Sequence, residues 1–347
     1  MRVTTPIIAV WLSCAATLAH AQSTPSPVAD YQPAQQVSGT LRTWGPGSRD
    51  TDVIGPLVRL WESGFRMRQP AVNFATRLNG DKSAIGGLYT AAADLAIMER
   101  GLSAIEKDGY EQLFGRTDPF AVSVATGSLD RRHHAMALVI FVHRDNPLAK
   151  LTLAQLDAIF GADHRRGLNN VRTWGELGLA GEWAAKPINT YGFGIAQDAS
   201  QYFQKAVMGG SQKWAGNLTE FSDVRKAGGV VAEAGLRIIA ALGRDRYGIA
   251  VSHMAYRTSR VKPLALAVGD GDPYYEPTRE TVAQRTYPLT QTVFIYANRA
   301  PGQPLDPKVK EYLRYLLSRE GQEDIARDGG YLPLPNDVAA RERTKIE

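Results

Sequence analysis

The sequence predicts an α/β protein whose parallel sheets are covered by helices on both faces and divided between two lobes. Three observations carry this. Strand, glycine-rich turn and helix follow one another in that order three times, an alternation that favours parallel sheets. A chain of 347 residues, 44% of them hydrophobic, with 33 Gly and 19 Pro, has an ordinary globular composition and is long enough for two lobes. The run AMALVIFV at 135–142 is continuous and rich in branched side chains, as a buried crossing strand requires. The same composition excludes collagen-like, low-complexity and coiled-coil classes.

Residues 1–21 read as an export signal. Arg2 supplies the positive start, 7–18 is a short apolar stretch, and Ala19-His20-Ala21 places small residues at the two spaced positions a signal peptidase needs. Cleavage after Ala21 predicts a periplasmic protein. The apolar stretch is too short to span a bilayer, which takes roughly 20 residues. Cys14, the one cysteine, lies inside this segment, so the exported chain has no disulfide, no thiol nucleophile and no cysteine-based metal site. A lipoprotein cut before Cys14 is the alternative, disfavoured because Trp11 stands where such sites want an aliphatic residue. The net charge of +5, from 40 basic and 35 acidic residues, is spread along the chain. It suits anions mildly. Arg131-Arg132-His133-His134 is too short for nucleic acid and reads as a solvated turn, so no nucleic-acid partner is expected.

The stretch 22–37, polar and Pro-rich, reads as a flexible leader. The body then runs strand 40–44, turn 45–52, and a helix with Ile54, Leu57, Val58, Trp61 and Phe65 on one side. A strand at 71–78, the turn 79–83, a helix to Ala93 and a short strand DLAIM ending at Glu99-Arg100 follow. After the crossing strand, Thr152 is placed to cap a helix carrying Leu153, Leu156, Ile159 and Phe160. The third unit is KPINTYGFGIAQDASQYFQKAVMG at 186–209. Residues 230–240 are helical, 245–256 and 261–268 supply strands, and 287–299 is another. A long helical region then runs 305–330, with Pro307 suited to its first turn and Gly329-Gly330 to its stop.

The run YPLTQTVFIYANRAPGQPLDPKVKEYLRYLLSREGQEDIARDGGYLPLP at 287–335 resembles the closing segment of phosphate-type periplasmic solute-binding proteins of ABC importers. IFVHRDNPLAKLTLAQLDAIFG at 140–161, RTWGELG at 172–178 and DRYGIAVSHMAY at 245–256 are similar to its crossing strand and following helix, its tryptophan segment and its return strand. The matching blocks cover about 38–335 in order. The resemblance implies an α/β, two-lobed type II periplasmic-binding-protein-like fold with two crossing segments: lobe one at 38–135 and 252–335, lobe two at 138–248, and a C-terminal tail at 336–347. It implies a monomer without cofactor that closes on a small anion and hands it to the membrane permease of an ABC importer.

Helix N-termini offer backbone donors and a favourable dipole to such an anion. Three turns have that form. Gly47-Ser48-Arg49-Asp50-Thr51 stands where the resemblance places a small-hydroxyl contact, with Ser48 and Thr51 both open candidates. Gly80-Asp81-Lys82-Ser83 stands at the second, where Ser83 keeps a hydroxyl and Lys82 adds charge or forms a solvated turn. Arg100 either pairs with the anion through its planar fork or pairs with Glu99 or Glu106. On the ligand reading, Arg100→Ala or Ser83→Ala weakens ligand stabilisation and leaves the unliganded melting temperature nearly unchanged. The third turn, Tyr191-Gly192-Phe193-Gly194-Ile195-Ala196-Gln197-Asp198, departs from the usual Ser-Gly-Thr of phosphate binders. Asp198 there disfavours a fully ionised oxyanion unless it meets a ligand proton or a cationic group.

Other chemistries find little support. Gly192-Phe193-Gly194 lacks the third glycine of a dinucleotide loop, the histidines show no metal-ligand spacing, and no Gly-x-Ser-x-Gly elbow occurs. Trp61, Trp174, Trp183 and Trp214 fit packing better than sugar stacking. The reading is therefore a binding protein and not an enzyme, with a same-fold sensor or adhesion protein uncoupled from transport as the alternative.

Overall fold

The computed structural model describes residues 28–47, 53–115, 118–132, 134–195, 197–225, 231–299 and 303–347. The expected export signal, His133, Ala196, and the candidates Ser48, Asp50 and Thr51 with their neighbour Arg49, lie outside these residues. The first lobe runs β1 (Gly39–Gly45), α1 (Gly55–Arg68), β2 (Val72–Leu78), α2 (Asp81–Tyr89), β3 (Leu95–Met98), α3 (Ala104–Phe114) and β4 (Phe120–Thr126). The chain then crosses into β5 (Val139–His143), β6 (Lys150–Thr152), α4 (Leu153–Phe160), β7 (Asn189–Phe193), α5 (Asp198–Ala206), β8 (Leu218–Phe221), β9 (Val224–Arg225), β10 (Val231–Ala232), α6 (Ala234–Leu242), β11 (Gly248–Ser252), β12 (Val261–Pro263), β13 (Ala265–Ala267) and α7 (Arg279–Ala283). It returns through β14 (Thr292–Ala297) to α8 (Pro307–Leu316), α9 (Arg319–Asp328) and α10 (Asn336–Ile346).

Two five-stranded sheets result, ordered β2-β1-β3-β14-β4 and β12-β5-β11-β7-β8. In each, four strands run in one direction and the fifth, which has crossed from the other lobe, runs against them between two of the four. β14 runs antiparallel to β3 and β4, and β5 antiparallel to β11 and β12. The two crossings lie side by side: the Gly127 amide donates to the Gln291 carbonyl at 2.9 Å and the Leu138 amide to Leu289 at 3.1 Å. Each lobe has its own core, Leu41, Trp61, Phe65, Ile97 and Tyr312 in the first, and Phe141, Phe160, Phe203, Ile238 and Ile249 in the second. A fully buried side chain of this size contributes about 1.5–3 kcal/mol. Trp61 and Trp174 are buried and spend their indole N–H groups on the Gly321 and Tyr247 carbonyls, and Trp214 stacks on Phe203, so the tryptophans pack as expected.

Several boundaries differ from the sequence reading. Residues 252–289, assigned to lobe one, carry β12 and β13, which pair with β5 and β6, while Val282, Tyr287 and Leu289 join the second core. Short, weakly periodic strands hid this, and the return comes at β14. The flexible leader gives way at Tyr31, which is buried in the first core and donates through its hydroxyl to Glu311 Oε2 at 2.8 Å. The C-terminal tail is the helix α10, with Ala339 and Ile346 in the same core. The long helical region breaks at Ser318, whose side chain caps α9. Residues 231–232 are strand, so the helix expected from 230 starts at Ala234. Among the described residues no helix is long and apolar enough to cross a membrane.

Candidate functional site

Ligands of open α/β sheets sit outside the carboxyl ends of the parallel strands, and there the chain forms an open cavity of about 420 Å³. Its wall comes from both lobes: Pro46, Gly47, Asn79, Gly80, Asp81, Lys82, Ser83 and Glu99 from the first, and Asp198 from the second. The turns after β1 and β2 are stitched together by the Gly80 amide, which donates to the Gly45 carbonyl at 3.1 Å. Gly47 sits at φ 144°, and a Cβ there would lie 2.7 Å from the Leu78 carbonyl oxygen, so this close crossing needs glycine.

The stitching fixes the start of α2. Gly80 is its cap residue at φ 111°, and its carbonyl takes the Ser83 and Ala84 amides at 3.1 and 3.0 Å. The Asp81 and Lys82 amides precede the first intrahelical bond and have no partner among the described residues, which leaves them as donors at the positive end of the helix. Lys82 brings an exposed ammonium to the cavity wall. The Ser83 hydroxyl donates back to the Gly80 carbonyl at 2.7 Å, leaving its lone pairs as the outward function.

Arg100 closes the back of the site. Its Nη1 and Nη2 donate to the two oxygens of Glu106 at 2.7 and 2.8 Å, so the planar fork expected for an anion is spent on this carboxylate. Glu106 is held in turn by the capping box of α3, accepting from the Ser103 amide at 2.8 Å. Only Arg100 Nε faces forward, 3.7 Å from Asp81 Oδ2 and 3.5 Å from Asp198 Oδ1. One guanidinium is therefore set among three carboxylates. Burial is the first cause that pushes Asp81 up to about 6, opposed by Arg100 and reinforced by Asp198. Glu99 accepts from the Tyr331 hydroxyl, and burial pushes its carboxyl up to about 8 against that bond.

The third turn behaves differently. The Gly194 amide donates to the Phe221 carbonyl at 2.8 Å, Gly192 pairs within the sheet, and the Tyr191 hydroxyl donates to Asp245 at 2.9 Å. Phe193 is buried, its ring 5.1 Å from His253. None of the four lines the cavity. Asp198, the first residue of α5, is what this turn contributes. Of the candidates, Gly47, Lys82 and Ser83 line the cavity with Arg100 behind them, and of the two alternatives read for Arg100 the structure takes the pairing with Glu106; the parts played by Glu99 at the wall and by Tyr331 were not read from the sequence. Only Ser103-x-x-Glu106 carried a readable signal, that of a capping box.

Comparison with known proteins decides the family, because the sequence profile of the PBP superfamily domain matches residues 51–320. The chain belongs to the PBP superfamily. Within it, the phosphate-binding protein PstS of Pseudomonas aeruginosa is 33% identical over 313 residues, covering 90% of this chain and 88% of its own length. Two solved structures share the fold of this PBP-superfamily chain. PstS from Borrelia burgdorferi aligns with a TM-score of 0.54 at 14% identity, over 86% of this chain and 100% of its own. An ABC-type phosphate transport receptor from Vibrio cholerae aligns with a TM-score of 0.52 at 17% identity, over 85% and 100%. Of the blocks quoted above as resembling phosphate-type solute-binding proteins, 140–161, 172–178 and 245–256 lie inside the matched range 51–320, and 287–335 begins inside it.

Proposed function

We propose that the protein is an exported receptor that captures a phosphate-like oxyanion between its lobes and passes it, untransformed, to an ABC importer. The observation that carries this is the start of α2, where the Asp81 and Lys82 amides, without partners among the described residues, and the Lys82 side chain meet one cavity walled by both lobes. The relative from Pseudomonas aeruginosa, matched over 88% of its length and named as a phosphate-binding protein, supports the same ligand. Gly47, which lines the same cavity, joins the ligand's surroundings on this reading.

Asp81 Oδ1 is buried without a hydrogen-bond partner among the described residues. With its carboxyl near 6, it is an acceptor at neutral pH. An oxyanion that retains a proton satisfies it, and one that is fully ionised meets its charge instead. The site therefore prefers hydrogen phosphate to sulfate. Calorimetric titration of the exported chain tests this near neutral pH: phosphate binds saturably, and sulfate binds at least about ten-fold more weakly, a difference of about 1.4 kcal/mol. Equal binding of the two, or no binding of phosphate, overturns the assignment.

The commitment of Gly194 to the Phe221 carbonyl favours a second reading, a same-fold sensor uncoupled from a permease, since lobe two offers fewer donors for full closure. Phosphate uptake by membrane vesicles carrying an ABC-type phosphate permease, measured with and without this protein, distinguishes the two.

A further inference from the structure

We propose that the cavity is built for a phosphoryl or phosphonyl compound that also carries an amine, with its anionic end at the start of α2 and its ammonium between Asp198 and Asp81. This rests on the oxyanion reading of the same site and extends it to the ligand's other half.

The first ground is charge. Among the described residues lining the cavity, Lys82 is the one cation, against the carboxylates of Asp81 and Asp198, while Glu99, pushed up to about 8 by burial, holds its proton near neutral pH. Arg100, behind them, is matched by its bidentate bond to Glu106 before Asp81 and Asp198 are counted. A doubly charged inorganic oxyanion adds negative charge to a wall that already has a surplus. A zwitterion supplies the missing cation where the surplus lies.

The second ground is unmet hydrogen bonding. Asp81 Oδ1 is a buried oxygen with no hydrogen-bond partner among the described residues, and the Asp198 carboxylate sits across the cavity as an acceptor-only group where phosphate binders usually place hydroxyl donors. An ammonium brings three donors to these two carboxylates. Arg100 Nε, also without a hydrogen-bond partner although its side chain is only 8% exposed, holds both carboxylates in place from behind.

The third ground is size. A cavity of about 420 Å³ has room for roughly fourteen waters at about 30 Å³ each. The five heavy atoms of orthophosphate leave most of it empty, whereas pockets for small organic molecules span about 300–1,000 Å³.

Calorimetry of the exported protein with 2-aminoethylphosphonate, ethylphosphonate and inorganic phosphate, on wild type and Asp198→Asn, tests the proposal. It predicts that 2-aminoethylphosphonate binds wild type at least about ten-fold more tightly than ethylphosphonate or phosphate. Asp198→Asn removes that advantage and tightens ethylphosphonate severalfold by deleting a repulsive charge. Ethylphosphonate or phosphate binding wild type as tightly as the amine overturns the zwitterion and leaves the oxyanion reading standing. An advantage that survives in Asp198→Asn overturns the role given to Asp198, whose carboxylate then serves the α5 dipole. Failure of all three ligands to bind overturns the oxyanion reading itself and this proposal with it.

Discussion

Arg100 Nε stands 3.5 Å from Asp198 Oδ1, so the residue two past the end of β3 in one lobe meets the first residue of α5 in the other. The rest of the Arg100 guanidinium is given to Glu106, and the side chain is nearly buried. Arg100 therefore carries structure as well as site electrostatics.

Arg100→Ala strands Glu106 among buried neighbours, and breaking such a pair costs roughly 3–5 kcal/mol. The sequence reading expected the unliganded protein to keep its melting temperature in this variant; the geometry reverses that. Guanidinium denaturation should show a lower midpoint in the absence of ligand, whereas Ser83→Ala, whose hydroxyl makes one local bond to Gly80, should shift it by no more than about 1 kcal/mol.

Glu99 sets a pH dependence. Its folded carboxyl, raised from 4.5 to about 8, binds a proton that the unfolded chain has released. Its contribution to stability is therefore complete below about pH 4.5 and is lost as pH rises to about 8, with a slope of at most about 1.4 kcal/mol per pH unit. Glu99→Gln, neutral throughout and still able to accept from Tyr331, should flatten this decline. Urea denaturation of both proteins across this window checks it, and parallel curves would remove Glu99 as the cause.

The legible parts of the fold were those with long periodic or glycine-rich signals: Ile54 to Phe65 on α1, the Thr152 cap, and the turn leading into Asp81. What stayed hidden had a physical reason. Tyr31 lies in a polar, Pro-rich stretch and is buried by tertiary contact with Glu311 and Gln69, which no local pattern encodes. β12 and β13 are three residues each, too short for an alternating signal, so the chain's return was placed early. In the site, the start of α2 was readable as a turn, but the pairing of Arg100 with Glu106 over Glu99 depends on a capping box in the next helix. The closure of Asp198 onto Arg100 depends on two lobes far apart in sequence.

Tyr31 offers a direct check on the anchored N-terminal segment. Tyr31→Phe leaves the buried Glu311 carboxylate short of one donor and should cost about 1–3 kcal/mol. Tyr31→Ala adds a cavity in the first core and should cost about 3–5 kcal/mol. Unchanged denaturation midpoints for both would return 28–37 to the status of a loose leader.

Gly87 couples packing to the site. It faces the Trp44 ring across the contact between α2 and β1, and a Cβ there would lie 2.5 Å from that ring. Gly87→Ala pushes α2 away from the sheet, costs about 1–3 kcal/mol, and displaces the Asp81 and Lys82 amides. Calorimetry should show weaker phosphate binding in the folded variant; wild-type affinity would mean that the position of α2 is not what the ligand reads.

Amide-resolved NMR during a phosphate titration reads the site directly. The Asp81 and Lys82 backbone N–H resonances should move with saturation, while that of Gly194, held by Phe221, stays in place. Phosphate binding that leaves the Asp81 and Lys82 signals unmoved would contradict the assignment of the anion to the start of α2.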